Sequence, residues 1–267
     1  MADVHFSWPG DGVAQILVDA PPFNFTTPAL FGEIEHALAQ ARDGGARVVV
    51  LGSAVEGYFL AHGSLENIAE IFGGRTASAE DAGATTRVLR ELDRGPMVAI
   101  AAIDGQAWGG GAELSWSCDL RVASRPATFG QPEVMLGTTP GLGGATKIAR
   151  LVGEATALRL VLDGRPISAE EAYRMGLVHQ VVDPGCAVEA AVEWARWLAG
   201  RPPWALAACK ELVKGARELS LRDALRRDLA TFAEYCSRPE VLANIRNAQA
   251  RYAEGSDSYD AFGLPRE

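Results

Sequence analysis

The chain has 267 residues, 48% of them hydrophobic and 22% charged, enough apolar material for a large buried core. Its formal net charge of −9 excludes general nucleic-acid binding, which needs a concentrated basic surface. No apolar run approaches the roughly 20 residues of a membrane span, and Met1-Ala2-Asp3-Val4-His5 lacks a basic stretch leading into an apolar one, so a cytoplasmic protein with no membrane partner is expected.

Two early strands, Val4 to Trp8 and Val13 to Val18, lead to an amphipathic helix in which Leu30, Phe31, Ile34, Leu38 and Ala41 recur at helical spacing and belong to the core. Arg47 to Leu51 is mostly β-branched and predicts a buried strand. Ser64 is placed to cap a following helix, and Gly73 to Gly83, small, polar and glycine-rich, is expected to be the mobile part of the chain.

Met97 to Ala102 reads as a strand, after which Gly109-Gly110-Gly111 opens a helix carrying Glu113, Leu114, Trp116 and Cys118. Side-chain-free backbone at a helix N-terminus lets a ligand approach exposed N–H groups, and the helix dipole favours a developing anion there. That describes half of an oxyanion hole. Asp119 to Ser124 predicts a short strand. Glu133 then follows among Phe129, Val134, Met135 and Leu136, apolar company that raises a carboxylate's pKa by penalising its charged form. Two glutamates so placed point to proton-transfer chemistry.

Beyond Gly144 the pattern is helical. Ser168 and Glu171 form a capping box and Gly176 ends that helix. Trp194, Trp197, Trp204, Leu206, Leu212 and Val213 give later helices apolar stripes that fit either a subunit interface or an intrachain core. Cys118, Cys186, Cys209 and Cys236 are widely spaced without a paired signature and read as reduced, structural thiols. The economical division is a catalytic core over 1–190 and a helical C-terminal region over 191–267.

The ordered set Gly109-Gly110-Gly111-x-Glu113-Leu114, Cys118-Asp119, Phe129-Gly130-Gln131-Pro132-Glu133 and Pro140-Gly141-x-Gly143-Gly144 resembles the crotonase (enoyl-CoA hydratase/isomerase) superfamily. Pro22-x-Asn24, Arg47 to Leu51 and Ile167 to Val178 extend the resemblance along nearly the whole chain. It implies an α/β fold, a ββα spiral with a helical C-terminal trimerisation region, and a homotrimer or dimer of trimers. It also implies acyl-CoA substrates, coenzyme A entering as part of the substrate with no separate cofactor or metal. By position, the oxyanion hole would be Gly63 and Gly110, the catalytic pair Glu113 and Glu133, and Gly141 would position the attacking water. Ala61, His62, Leu65 and Trp108 would contact substrate, with Ile71 and Phe72 near the acyl pocket. The implied reaction is hydration of a trans-2-enoyl-CoA to the 3-hydroxyacyl-CoA.

The chain departs from the family pattern at His62, where glycine is usual, at Ser64, where aspartate is usual, and in the tail from Ile245 to Gly255. A basic cluster, Lys210, Lys214, Arg217, Arg222, Arg226 and Arg227, is one candidate for the CoA phosphates, with a solvated helix face as the competing reading. The sequence has no Gly-x-Ser-x-Gly elbow, P-loop or His-x-x-x-His pair, which excludes the commonest hydrolase, NTPase and zinc readings. Fold alone leaves a double-bond isomerase relying mainly on Glu133, or a non-catalytic acyl-CoA-binding protein, as alternatives.

Overall fold

Aliphatic runs form strands that, from Val48 onward, come in pairs whose two members enter different sheets. The computed structural model describes residues 3–73 and 83–266; residues 74–82 of the glycine-rich segment expected to be mobile lie outside the described residues. The chain divides into two compact units, Met1–Lys210 and Glu211–Glu267.

The first unit opens with β1 (Asp3–Gly10), β2 (Val13–Asp19) and α1 (Pro28–Asp43). Three repeats follow. The first is β3 (Val48–Ser53), β4 (Gly57–Leu60), α2 (Leu65–Phe72) and α3 (Gly83–Arg94); the second is β5 (Val98–Ile103), β6 (Gly105–Trp108) and α4 (Gly110–Ser117). The third is β7 (Leu120–Ser124), β8 (Thr128–Gly130), a 3-10 helix Pro132–Leu136, α5 (Gly144–Val152) and α6 (Glu154–Asp163). The unit ends with β9 (Ile167–Ser168), α7 (Ala169–Arg174), β10 (Gln180–Val182), α8 (Ala187–Ala199) and most of α9 (Pro203–Gly215).

The first strand of each repeat joins a six-stranded sheet of order β1-β2-β3-β5-β7-β10, parallel apart from β1. The second joins a four-stranded sheet of order β4-β6-β8-β9, in which β4, β6 and β8 are parallel. Side chains alternate across the large sheet. One face packs Ile16, Val49, Leu51, Ala101 and Ile103 against the buried stripe Leu30, Phe31, Ile34, Leu38 and Ala41 of α1, as the helical spacing predicts. The other packs Val48, Val50, Ile100 and Val122 against Ala187, Ala191, Val192 and Ala195 of α8.

The parallel small sheet decides where chemistry can sit. The chain leaves β4, β6 and β8 at the same edge, so three consecutive turns are stacked side by side there, the usual place for a ligand beyond the carboxyl ends of parallel strands. Trp108 N–H donates to Ala61 O at 3.0 Å and Gly109 N–H to Gly130 O at 2.8 Å, tying the turns together. Gly111 lets α4 lie directly on β4: a Cβ there would stand 2.0 Å from Leu60 O.

Buried polar groups brace this edge from behind. Asn24, with φ 52°, accepts from Ala20 N at 2.7 Å and donates to Ser53 Oγ at 2.7 Å and Phe59 O at 3.0 Å. Lys210 is a second brace: it donates to Leu92 O and Met97 O and pairs with Asp119 at 2.8 Å, its side chain 7% exposed. Lys210 therefore does not belong to a phosphate-binding cluster, a correction to the sequence reading that burial makes necessary.

The second unit contains a 3-10 helix Ala216–Glu218, α10 (Leu221–Cys236), α11 (Pro239–Ala253) and α12 (Ser258–Phe262). Within it Arg251 donates to Asp260 O, linking α11 to α12, while Leu221, Leu225, Leu229 and Phe232 form an exposed apolar row along α10. Among the described residues no helix is long and apolar enough to cross a membrane.

Candidate active site

Each of the three stacked turns brings at least one expected group to the site. Beyond β4, Ala61 is buried, His62 and Gly63 are half-buried, and Ser64 caps α2 by accepting from Asn67 N at 3.3 Å. Thr26 N–H donates to His62 O at 2.8 Å and Ser64 N–H to Thr26 O at 2.9 Å, which pins Gly63 against Thr26. Beyond β6, Gly109 caps α4 with φ 47°, a left-handed conformation that favours glycine, and Gly110 begins the helix. A Cβ at Gly110 would lie 3.5 Å from Gly63 N, so the two glycine backbones face one another. Among the described residues neither Gly63 N–H nor Gly110 N–H meets an acceptor.

Glu113 lies one turn into α4, 2% exposed, and its Oε1 accepts from Leu142 N at 2.8 Å and Gly144 N at 2.7 Å. Burial pushes its pKa up to about 7; the two N–H bonds pull the other way, the Glu133 charge adds to the rise and Lys147 opposes it. Glu133, in the 3-10 helix beyond β8, is half-buried with its pKa raised by desolvation, against its own N–H and the His62 charge. Its Oε2 is buried without a hydrogen-bond partner. A Cβ at Gly109 would lie 3.0 Å from Glu133 Oε1 and 3.4 Å from His62 Cβ, which places both side chains over the glycine turn.

The two carboxylates thus differ in their surroundings. One is held by two main-chain donors on a single oxygen, which oppose but do not outweigh the effect of its burial; the other presents an unpaired oxygen in a desolvated place. Sequence reasoning missed the donors to Glu113, because main-chain N–H groups leave no side-chain signature. The available signal was Gly144, where a Cβ would collide with Gln131 Oε1 at 2.6 Å and Glu113 Oε1 at 2.9 Å. Gly141 is exposed, one residue before Leu142 and three before Gly144. Lys147 was also missed: its Nζ donates to Ser117 Oγ, which donates to Glu113 O at 2.8 Å.

The remaining expected contacts lie around this centre. His62 Nδ1 lies 2.7 Å from Gly63 O and its ring packs on Phe25 at 4.8 Å. Trp108 is half-buried, its indole N–H donating to Thr128 Oγ1 at 3.1 Å. Leu65, with Ile68 and Phe72, forms an exposed apolar face of α2 that begins at Gly63, where a Cβ would meet Ile68 Cδ1 at 2.9 Å. Ile71 is half-buried on the same helix. Among the described residues no group of three or more His, Cys, Asp or Glu could hold a metal ion.

The family model for enoyl-CoA hydratase/isomerase matches residues 9–259, which include all three turns. The chain belongs to this family. It is 35% identical over 206 residues to a short-chain-enoyl-CoA hydratase of Clostridium acetobutylicum, covering 77% of this chain and 76% of that protein. Among solved structures it is similar to an enoyl-CoA hydratase subunit I from Geobacillus kaustophilus, with TM-score 0.83, 30% identity and coverage of 95% and 96%. It is likewise similar to an enoyl-CoA hydratase from Bacillus anthracis, with TM-score 0.83, 29% identity and coverage of 94% and 96%. The expected crotonase fold is therefore the fold observed, and as an enoyl-CoA hydratase/isomerase family enzyme the chain is matched along all three turns and not over an isolated glycine cluster.

Proposed function

We propose that this enzyme hydrates trans-2-enoyl-CoA thioesters to 3-hydroxyacyl-CoA, with Glu113 and Glu133 as the catalytic pair. The observation that carries the reading is the contrast between them: Glu113 is held by Leu142 N–H and Gly144 N–H, and Glu133 keeps a buried, unpartnered Oε2. In the proposed reaction the thioester oxygen accepts from Gly63 N–H and Gly110 N–H. Glu113 takes a proton from a water whose oxygen bonds to Cβ, with Gly141 N–H helping to hold that water. The Cα=Cβ electron pair moves toward the thioester as an enolate, and Glu133 delivers a proton to Cα. Atoms balance, with one water added, and the glutamates return to their starting states by exchanging protons with solvent.

An enolate is too basic to form near pH 7 unless donors stabilise it, and losing one such donor typically costs ~100–1000-fold in rate. The acyl chain would lie along Leu65, Ile68 and Phe72, with Ala61, His62 and Trp108 beside it. Coenzyme A enters only as part of the substrate.

The test is loss of enoyl-thioester absorbance across a series of chain lengths. Wild type should turn over at least one member, and Glu133→Gln should slow hydration by about 100–10,000-fold, the usual worth of a positioned general acid. A wild type silent across the series would sink the hydratase reading. The same reading includes a homotrimer or dimer of trimers, supported by the apolar row Leu221, Leu225, Leu229 and Phe232 on α10, and a cytoplasmic setting in keeping with four free cysteines. Sedimentation equilibrium at micromolar concentration should report the oligomer, and a monomer would remove that part.

A further inference from the structure

We propose that the Thr26 hydroxyl is a third hydrogen-bond donor to the thioester oxygen, acting beside the N–H groups of Gly63 and Gly110. The inference rests on the functional reading above and deepens it by adding a residue whose type no part of the sequence pattern singled out.

Three observations converge on Thr26. The residue is 6% exposed, and its main chain is clamped on both sides of Gly63, donating to His62 O at 2.8 Å and accepting from Ser64 N at 2.9 Å. Its backbone thus cannot withdraw without breaking the turn, and a β-branched side chain has few χ1 states through which the hydroxyl could swing. Oγ1 stands 2.9 Å from the position of a Cβ on Gly110 and 3.7 Å from that of a Cβ on Gly63, while Gly63 N is itself 3.5 Å from the Gly110 position. The hydroxyl is therefore beside both glycines at once.

Among the described residues Oγ1 has no hydrogen-bond partner. The hydroxyl itself keeps access to solvent at the site, so its donor is open to an incoming acceptor, whereas valine would fill the same volume and offer none. The arrangement makes chemical sense where a ligand supplies the acceptor. An enolate oxygen has room for three donors, and a donor fixed before the charge develops needs no reorganisation when it does. The Thr26 main chain contributes in the same direction. Its N–H bonds the carbonyl of the peptide unit that carries Gly63 N–H, and a hydrogen bond at one end of an amide polarises the other. No covalent bond changes at Thr26; its proton is shared with the oxygen and stays on the hydroxyl.

Thr26→Val and Thr26→Ser test this against a packing role. Three readouts apply: kcat and KM for the best enoyl-CoA, the ultraviolet absorbance of acetoacetyl-CoA bound as its enolate across pH, and thermal melts. Acetoacetyl-CoA reports oxygen stabilisation without any hydration step, because its acidic Cα–H ionises on binding. Thr26→Val should lower kcat about 10–100-fold with KM within a few-fold, below the full worth of a rigid main-chain donor because a hydroxyl rotates. It should also weaken ionisation of bound acetoacetyl-CoA by at least about tenfold and melt no lower than wild type, since no internal hydrogen bond is lost. Thr26→Ser should restore kcat to within a few-fold. Wild-type kcat and wild-type ionisation in Thr26→Val would overturn the proposal. So would a lowered melting temperature with a kcat loss that serine does not rescue. A wild type that ionises acetoacetyl-CoA in a Thr26-dependent way yet hydrates no enoyl-CoA would uphold the donor and overturn the hydratase reading alone.

Discussion

Glu113→Gln is expected to lower kcat for enoyl-thioester hydration by about 1000-fold while raising the melting temperature at pH 8. The two effects share one cause. Glu113 is 2% exposed and its pKa is pushed up to about 7 by burial, so the ionised carboxylate the proposed reaction needs is one the fold would prefer to protonate. A carboxylate whose folded pKa lies above its unfolded value of about 4.5 contributes its full stability below 4.5 and loses it as pH rises through 7. Across that window the loss is about 3 kcal/mol as an upper bound, at about 1.4 kcal/mol per pKa unit. Glutamine keeps an acceptor for Leu142 N–H and Gly144 N–H and removes the charge. The melting difference between variant and wild type should therefore be positive at pH 8 and shrink toward pH 4.5. In wild type the same ionisation predicts that kcat/KM falls tenfold per pH unit below about 7. A variant that keeps wild-type activity would move the chemistry to Glu133 alone, as an isomerase requires.

Much of this site was legible in the sequence for a physical reason. A glycine leaves room for a close neighbour, and Gly109, Gly110, Gly111 and Gly144 each stand where a Cβ would come within about 3 Å of another group of the site or its supporting strand. Aliphatic spacing likewise marked α1, and the Ser64 and Ser168 caps formed as expected, because each depends on residues only a few positions apart. The box at Ser168 closed on one side only. Ser168 accepts from Glu171 N, but the Glu171 carboxylate is taken by Arg159, a partner 12 residues away whose competition no local pattern reveals. What stayed hidden depends on contacts across the chain. Lys210 reads as a surface cation until Asp119 and two carbonyls bury it, and Thr26 gives no signal of its own until the parallel bridge sets it against Gly63.

Arg121→Met is expected to cost about 1–3 kcal/mol of stability or more, from carbonyls left unsatisfied, and to reduce hydration as well, although the side chain lies behind the site. Arg121 is 1% exposed and donates to Ser115 O at 3.1 Å, Cys118 O at 2.9 Å and Leu177 O, so it satisfies carbonyls at the end of the helix that carries Glu113. Burial lowers its pKa to about 10, which still leaves it charged at neutral pH. Methionine fills the volume and leaves those carbonyls unpaired. Lysine should not rescue, because a single ammonium cannot serve carbonyls spread around a planar fork. The adjacent His179 gives the loss a pH signature. Its Nδ1 accepts from Arg121 N at 3.1 Å, and burial, then the guanidinium charge, lowers its pKa to about 4. A base held below its unfolded value of about 6.5 contributes stability that is present above 6.5 and lost as pH falls toward 4. Removing the guanidinium lets His179 protonate more readily, so part of that penalty disappears and the destabilisation by Arg121→Met should be smaller at pH 5 than at pH 7.5 in urea melts. Equal melting of variant and wild type at both values would mean that water serves the α4 carbonyls as well as the arginine does, and that the helix behind Glu113 is held by its packing alone.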